Sequence, residues 1–164
     1  MSGYYNTAAI EKVPQIEFIF KWLQRHGISI CLISDFNHQD TQQILHRLDW
    51  SPEVENSYID AVLIKSNRSC NTLMSEVCNL FSLPDGKAVI GLFDQPALLK
   101  AAWDFGFLLS IGLNYGSTQP RILAQSPHHI LLDSIVELPN YLTRELAFNY
   151  SLKVDNNKNL RANQ

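Results

Sequence analysis

The sequence predicts an α/β fold built on a parallel, doubly wound sheet in three layers, with helices on both faces. Two observations predict it. Short apolar runs alternate along the chain with amphipathic stretches of ten or so residues, and several of these runs end on polar residues. Strands that alternate with helices imply right-handed crossovers between parallel strands. We therefore expect a sheet whose strands all run in the same direction.

The clearest strand-to-helix step is the stretch 88–106, AVIGLFDQPALLKAAWDFG. An apolar, partly β-branched run ends on Asp94, which suits a strand buried on both faces. Apolar residues then recur at helical spacing, and Gly106 stands where a helix often takes a left-handed residue at its end. This step predicts a buried strand that delivers a carboxylate to the edge of the sheet.

The other elements follow from the same two patterns. A first helix begins at Pro14, which suits the first helical position, and stops at Gly27. The remaining predicted elements are strands over 28–33, 59–64, 107–111 and 130–132, helices over 39–48, 72–81 and 135–146, and a polar loop over 112–119.

The length and composition predict a single domain with an extension at each end. With 164 residues, 46% of them hydrophobic, the chain can form one core. We assign residues 1–13 to an N-terminal extension, 14–145 to the core domain and 146–164 to a polar, disordered tail. A net charge of −3 without a basic stripe argues against a nucleic-acid partner. The start lacks a leader pattern, no apolar run reaches the length of a membrane span, and the three cysteines lack framework spacing, which together favour a soluble cytoplasmic protein.

Polar residues follow three of the predicted strands: Ser34 and Asp35, Lys65 and Arg68, and Asp94. The carboxyl ends of parallel strands share one edge, where ligands bind in open α/β sheets. Both cations also precede a helix whose N-terminus favours anions. Each residue has a structural alternative, because Asp94 can cap the next helix, Ser34 can start a turn, and the cations can be solvated.

Four stretches, in this order, resemble the haloacid dehalogenase-like superfamily of phosphohydrolases. VPQIEFIFKWLQRHGISICLISDF resembles the helix, glycine and strand before its second motif, and IKSNRSCNTLMSEVCNLFSL resembles its third. The stretch 88–106 is similar to the fourth motif, and SPHHILLDSIVELPNYL to the final strand and helix. The resemblance, closest to phosphonatase and phosphoglycolate phosphatase cores, implies phosphate binding by Ser34 and Arg68, with Lys65 as the alternative to Arg68. It also implies Mg²⁺ binding by Asp94 and a small phosphorylated molecule or inorganic phosphate as ligand.

The chain also departs from this superfamily. The superfamily's first motif is Asp-x-Asp on a central first strand, where one Asp attacks phosphorus, and residues 1–33 contain no Asp. The second acid of the fourth motif falls on Leu98. The resemblance therefore implies a core without its cap domain and first strand, catalytically inactive or part of a divided enzyme, with a remaining phosphate-binding edge. Two alternatives are an active Mg²⁺-dependent phosphatase or phosphonatase-like hydrolase completed by another chain, and a purely structural or interaction module.

The missing first strand would leave a vacancy beside two apolar strands. In the superfamily it lies between the strand that ends at Ser34 and the strand that ends at Asp94, and bare strand edges are costly. The two strands could pair directly, residues 4–10 could enter the vacancy, or a protein partner or second copy could supply a strand. Asn6, Ala8 and Ala9 are poor residues for a central strand, so the sequence favours direct pairing or a partner.

Overall fold

A computed structural model describes residues 10–147 of the chain. Positions 1–9 of the predicted N-terminal extension and positions 148–164 of the predicted tail lie outside the described residues. Among residues 10–147, no helix has both the length and the hydrophobicity needed to cross a bilayer.

The predicted α/β alternation is confirmed. The strands are β1 (Cys31–Ser34), β2 (Ala61–Ile64), β3 (Ile90–Phe93), β4 (Leu109–Leu113) and β5 (Ile130–Leu132). The helices are α1 (Ile16–Arg25), α2 (His38–Arg47), α3 (Cys70–Leu80), α4 (Pro96–Phe105), α5 (Pro120–Gln125) and α6 (residues 138–147), with 3₁₀ turns at Gly86–Ala88 and Ile135–Glu137. All strand pairs are parallel.

The predicted polar loop over 112–119 is wrong at its start. Gly112 belongs to β4, where a Cβ atom would overlap a side-chain methyl group of Leu131 on the neighbouring β5. Close packing, and not a turn, therefore favours glycine there. Helix α5 starts on Pro120 immediately after the predicted loop, and its six residues bury only Leu123, too few for a helical period to show.

The described strands form two separate sheets. One has the order β1-β2 and the other the order β3-β4-β5. Within residues 10–147, β1 and β3 do not pair with each other, so the prediction of direct pairing is wrong. Each of these two strands has one paired edge and one edge without a partner strand in the described part of the chain.

Helices on both faces explain why the two sheets stay apart. On one face, α3 and α4 form an apolar cluster. Cys31 and Ile33 of β1 pack against it, together with Phe93 of β3 and Val89 directly before that strand. On the other face, α1 contacts both sheets: Phe20 packs with Ile30, next to β1, and Ile19 packs with Ile111 of β4. The buried apolar surface of these helices fixes the position of each sheet without any β1–β3 hydrogen bond.

A truncation in α3 tests this account of the core. Leu73 has no exposed surface in the cluster that spans the two sheets, whereas Leu80 of the same helix is 50% exposed. We expect Leu73→Ala to lower the free energy of unfolding by about 2–5 kcal/mol, the usual cost of removing a buried leucine. Leu80→Ala should change it by about 0.5 kcal/mol or less. Urea titrations of both variants measure the difference, and equal losses would contradict the assignment of α3.

Candidate functional site

Three side chains from the ends of three strands meet at the carboxyl edge. Asp35 follows β1, Lys65 follows β2, and Gln95 follows β3 by two residues. The Gln95 amide donates a hydrogen bond to the Asp35 carboxylate. The Lys65 ammonium donates to Gln95 Oε1 at 2.5 Å and lies 3.3 Å from Asp35 Oδ1. We call these three residues the rim network; it connects the ends of the two sheets.

Lys65 is the best placed of the predicted cations. Its side chain is only 28% exposed, and its ammonium group lies between the ends of the two sheets. Its backbone amide bonds to the Ser34 carbonyl at 2.8 Å, which continues the β1–β2 ladder and fixes the start of the loop. The position of Lys65 therefore follows from strand pairing.

Arg68 is oriented away from this edge. Its guanidinium donates to the Ile64 carbonyl at 3.2 Å and forms an ion pair with Glu76 of α3 at 2.9 Å. These partners hold the side chain against the flank of α3. The geometry therefore favours Lys65, the alternative in the sequence comparison, over Arg68.

Ser34 is engaged in a local turn. Its hydroxyl lies 2.7 Å from the Thr41 hydroxyl and accepts a hydrogen bond from the Phe36 amide at 3.2 Å. Thr41 in turn donates to the Phe36 carbonyl. The Ser34 hydroxyl is therefore engaged within the turn that presents Asp35. These contacts fit the structural alternative for Ser34, in which its side chain starts a turn.

Asp94 lies next to the rim network and is not the cap of α4. The N-cap residue is Gln95, and its side chain makes no capping hydrogen bond. Partial burial of the Asp94 carboxyl raises its pKa above the usual range. Its own backbone amide and Lys65 lower the pKa, whereas the charge of Asp35 adds to the increase. Desolvation is the largest of these effects, so the proton is held more tightly than in water.

The N-terminus of α4 opens next to Lys65 without a side-chain cap. Pro96 occupies the first turn, and the Leu99 amide bonds to the Gln95 carbonyl. The amides of Ala97 and Leu98 belong to the first turn, where a helix leaves its N–H groups without helical partners. By contrast, α3 is capped by the Ser69 hydroxyl, which accepts from the Thr72 amide. The uncapped terminus favours negative charge at this edge.

Gln95 was missed in the sequence analysis. Glutamine is not among the preferred N-cap residues, yet it stands directly before Pro96, the first residue of α4. A poor capping residue at this position was a usable signal, because it indicates a side chain that bonds elsewhere. Here it reaches β1 and β2.

A cavity of about 970 Å³ lies below the rim network, between β1 and β3. The segments 28–35 and 88–95 line it along their whole lengths, with apolar residues from α1 and α2 around them. Burial raises the pKa of the Cys31 thiol on β1 to about 11, and the nearby Asp60 adds to this increase. The cavity therefore has apolar walls and a polar opening.

The described residues do not form a magnesium site by themselves. Mg²⁺ requires near-octahedral oxygen coordination, usually with several waters. Within residues 10–147, no group of three or more His, Cys, Asp or Glu side chains is placed to hold a metal. Asp35 is already bonded to Lys65 and Gln95, which leaves Asp94 alone. Asp94 would need further oxygen ligands to bind the ion.

Two solved structures share this arrangement of strands and helices. A predicted phosphoglycolate phosphatase from Haemophilus somnus 129PT matches with a TM-score of 0.70 at 18% identity, covering 83% of this chain and 60% of that one. A protein from Thermotoga maritima, provisionally assigned as a beta-phosphoglucomutase, matches with a TM-score of 0.69 at 15% identity, covering 84% of this chain and 62% of that one. This chain has the haloacid dehalogenase-like fold.

The fold predicted from the resemblance is thus confirmed, and the chain spans about 60% of the length of the structures it matches. No family model matches the chain, and no curated protein matches it in sequence. At identities below one fifth, these haloacid dehalogenase-like structures establish the fold alone.

The pKa of Asp94 predicts an unusual pH dependence of stability. A carboxyl whose pKa is raised on folding contributes stability that is present below the unfolded pKa and lost as the pH rises through the folded pKa. We expect the free energy of unfolding of Asp94→Asn, relative to the wild type, to increase between pH 3 and pH 7. Urea titrations across this range measure it.

Glu17 provides a control of opposite sign. Its hydrogen bonds from Lys12 and Trp50 lower its pKa. The wild type should therefore gain stability relative to Glu17→Gln as the pH rises from the folded pKa of the carboxyl to its unfolded pKa, above which the gain is complete. The same pH trend for both variants, relative to the wild type, would contradict the burial of Asp94.

Proposed function

We propose that this chain is a phosphate-binding domain of the haloacid dehalogenase-like type, and that hydrolysis requires a carboxylate from outside its described residues. The observation that carries the proposal is the position of Lys65 between the ends of the two sheets, beside the uncapped N-terminus of α4. The ligand class is a small phosphorylated molecule or inorganic phosphate. The names of the two similar structures, a phosphatase and a phosphoglucomutase, support that class.

Lys65 is the main binding group in this proposal. An ammonium group offers three donors, of which Gln95 takes one and Asp35 accepts at a longer distance. Asp35 is 53% exposed at its side chain, so its ion pair with Lys65 is weak. A phosphate dianion can therefore take the place of Asp35 on Lys65 and accept from the first amides of α4.

Asp94 opposes anion binding when it is ionised. Its negative charge lies close enough to Lys65 for the two to interact. Because burial raises its pKa, lowering the pH neutralises this residue before an ordinary aspartate. We therefore propose that anion binding tightens as acid neutralises Asp94, unless a cation at Asp94 compensates its charge.

Catalysis requires more than the described residues supply. By resemblance, the reaction uses an aspartate on the central strand as nucleophile, and no strand lies between β1 and β3 within residues 10–147. Asp35 and Asp94 come after β1 and β3, on either side of the vacancy. We propose that Asp35 and Asp94 flank the nucleophilic carboxylate and that neither of them acts as the nucleophile. Asp94 is the proposed contributor to a Mg²⁺ site that a further carboxylate would complete.

Sulfate is a suitable probe of the anion site, because it keeps both charges across the useful pH range. Sulfate at about ten times its Kd should stabilise the native state by about 1.4 kcal/mol, which raises Tm by about 3–5 °C. We expect Lys65→Ala to abolish this rise and Arg68→Ala to retain it. Thermal unfolding between pH 4 and pH 8 measures the effect, which should be larger at the acidic end, where Asp94 is neutralised.

The variants distinguish the candidate sites. Loss of the sulfate effect in Arg68→Ala, with retention in Lys65→Ala, would transfer the site to the flank of α3 and contradict the proposal. A wild type that sulfate does not stabilise at all would favour the structural or interaction module.

A turnover assay tests the catalytic part. With Mg²⁺, the purified chain should hydrolyse an aryl phosphate ester no faster than Asp94→Asn, because neither protein has the nucleophile. The release of the phenol measures the rate, and Lys65→Ala controls for contaminating phosphatase. Wild-type turnover that disappears in both variants would show an active enzyme and overturn this part of the proposal.

A further inference from the structure

The unpaired edges of β1 and β3 face each other across the cavity. In β1, the Ile30 carbonyl accepts from the Ala61 amide, and the Ser34 carbonyl accepts from Lys65. Because the backbone groups of successive strand residues point to opposite edges, Ile30, Leu32 and Ser34 bond towards β2. The N–H and C=O groups of Cys31 and Ile33 consequently point to the cavity.

The same alternation applies to β3. The Val89 carbonyl accepts from the Leu109 amide on the β4 side, so Gly91 and Phe93 also bond towards β4. The backbone groups of Ile90 and Leu92 point to the cavity. Two rows of donors and acceptors therefore line a space that contains no strand from the described part of the chain.

The two remaining walls of the cavity are apolar. Side chains of β1 and β3 that point to one face pack against the α3–α4 cluster. Those that point to the other face, Leu32, Ile90 and Leu92, join the clusters of α1. A segment in the cavity would contact apolar helices above and below, as strands of a parallel sheet do. Its carboxyl end would reach the polar rim network.

We propose that the space between β1 and β3 binds one β-strand of a separate polypeptide, parallel to both neighbours. The strand has about five residues, is apolar on both faces and carries a polar residue at its carboxyl end. Five residues extend about 17 Å at the rise of a strand, enough to pass the four residues of β1 and of β3. An edge-bonded strand fits because a small apolar ligand would leave both rows of backbone groups unpaired.

Other occupants fit the walls less well. The first nine residues of this chain, MSGYYNTAA, include Gly3, Asn6 and two adjacent alanines, which fill an apolar space poorly. In a second copy, each described strand is already paired within its own sheet. About two fifths of the length of each similar solved chain lies outside the match with this chain, so the fold accommodates further segments.

Amide hydrogen exchange in the full chain tests the proposal directly. The probe is a synthetic peptide with the sequence of residues 87–95, KAVIGLFDQ, which is apolar and ends in polar residues. We expect the peptide to slow exchange of the Cys31, Ile33, Ile90 and Leu92 amides at least tenfold. The Leu32 and Gly91 amides serve as controls within the same strands, because they already bond towards β2 and β4.

A second peptide removes the donors. Proline replaces the residues that correspond to Ile90 and Gly91, so this peptide lacks one N–H group towards β1 and one towards β3. It should not slow the exchange of the four amides. Equal protection by both peptides would overturn the proposal of an edge-bonded strand, as would the absence of protection by the first.

The other occupants give different results. Protection of the four amides in the free monomer, lost when residues 1–9 are deleted, would show that this chain fills its own cavity. Protection that increases with protein concentration, together with dimer formation in sedimentation, would show a second copy. Either result overturns the proposal. None of these measurements depends on anion binding at Lys65, so the proposed function can fail independently.

Discussion

The packing of helices across both faces of the two sheets is the interaction on which the rest of the structure depends. Helices α3 and α4 contact β1 and β3 on one face, and α1 contacts both sheets on the other. Burial of this apolar surface contributes roughly 25 cal/mol per Å², and closing the cavity would require these helices to move together. The unpaired backbone groups cost about 1–3 kcal/mol each where they are buried. A strand that formed hydrogen bonds with both edges would remove this cost.

The rim network depends on the same separation. Gln95 reaches both Asp35 and Lys65 because β3 ends opposite β1 across the cavity. If β1 and β3 paired directly, their ends would lie about 5 Å apart, and the Gln95 side chain would not be needed to span them. The positions of Lys65 and Asp94 at the opening of the cavity are thus a consequence of how the helices hold the sheets.

The sequence predicted the parts of the fold that local periodicity determines. Apolar spacing located α1 and α4, and Gly106, with a φ of 85°, ends α4 as expected. Gly112 was misassigned because the close packing that favours glycine there comes from Leu131 on another strand, which no local pattern reveals. Lys65 and Arg68 stand three residues apart, and the resemblance favoured Arg68. Only the β1–β2 ladder and the Glu76 ion pair separate their orientations.

Binding and catalysis make different demands on this architecture. Anion binding needs a cation and helix amides, and both are present at the carboxyl edge next to β3. Phosphoryl transfer also needs a carboxylate held in line with the ligand, and a parallel strand in the cavity would present its last residues between Asp35 and Asp94. Pairing of the two free edges would then position that residue by backbone hydrogen bonds. Within the described residues, the space between the two sheets and the need for a further carboxylate would then have one geometric origin.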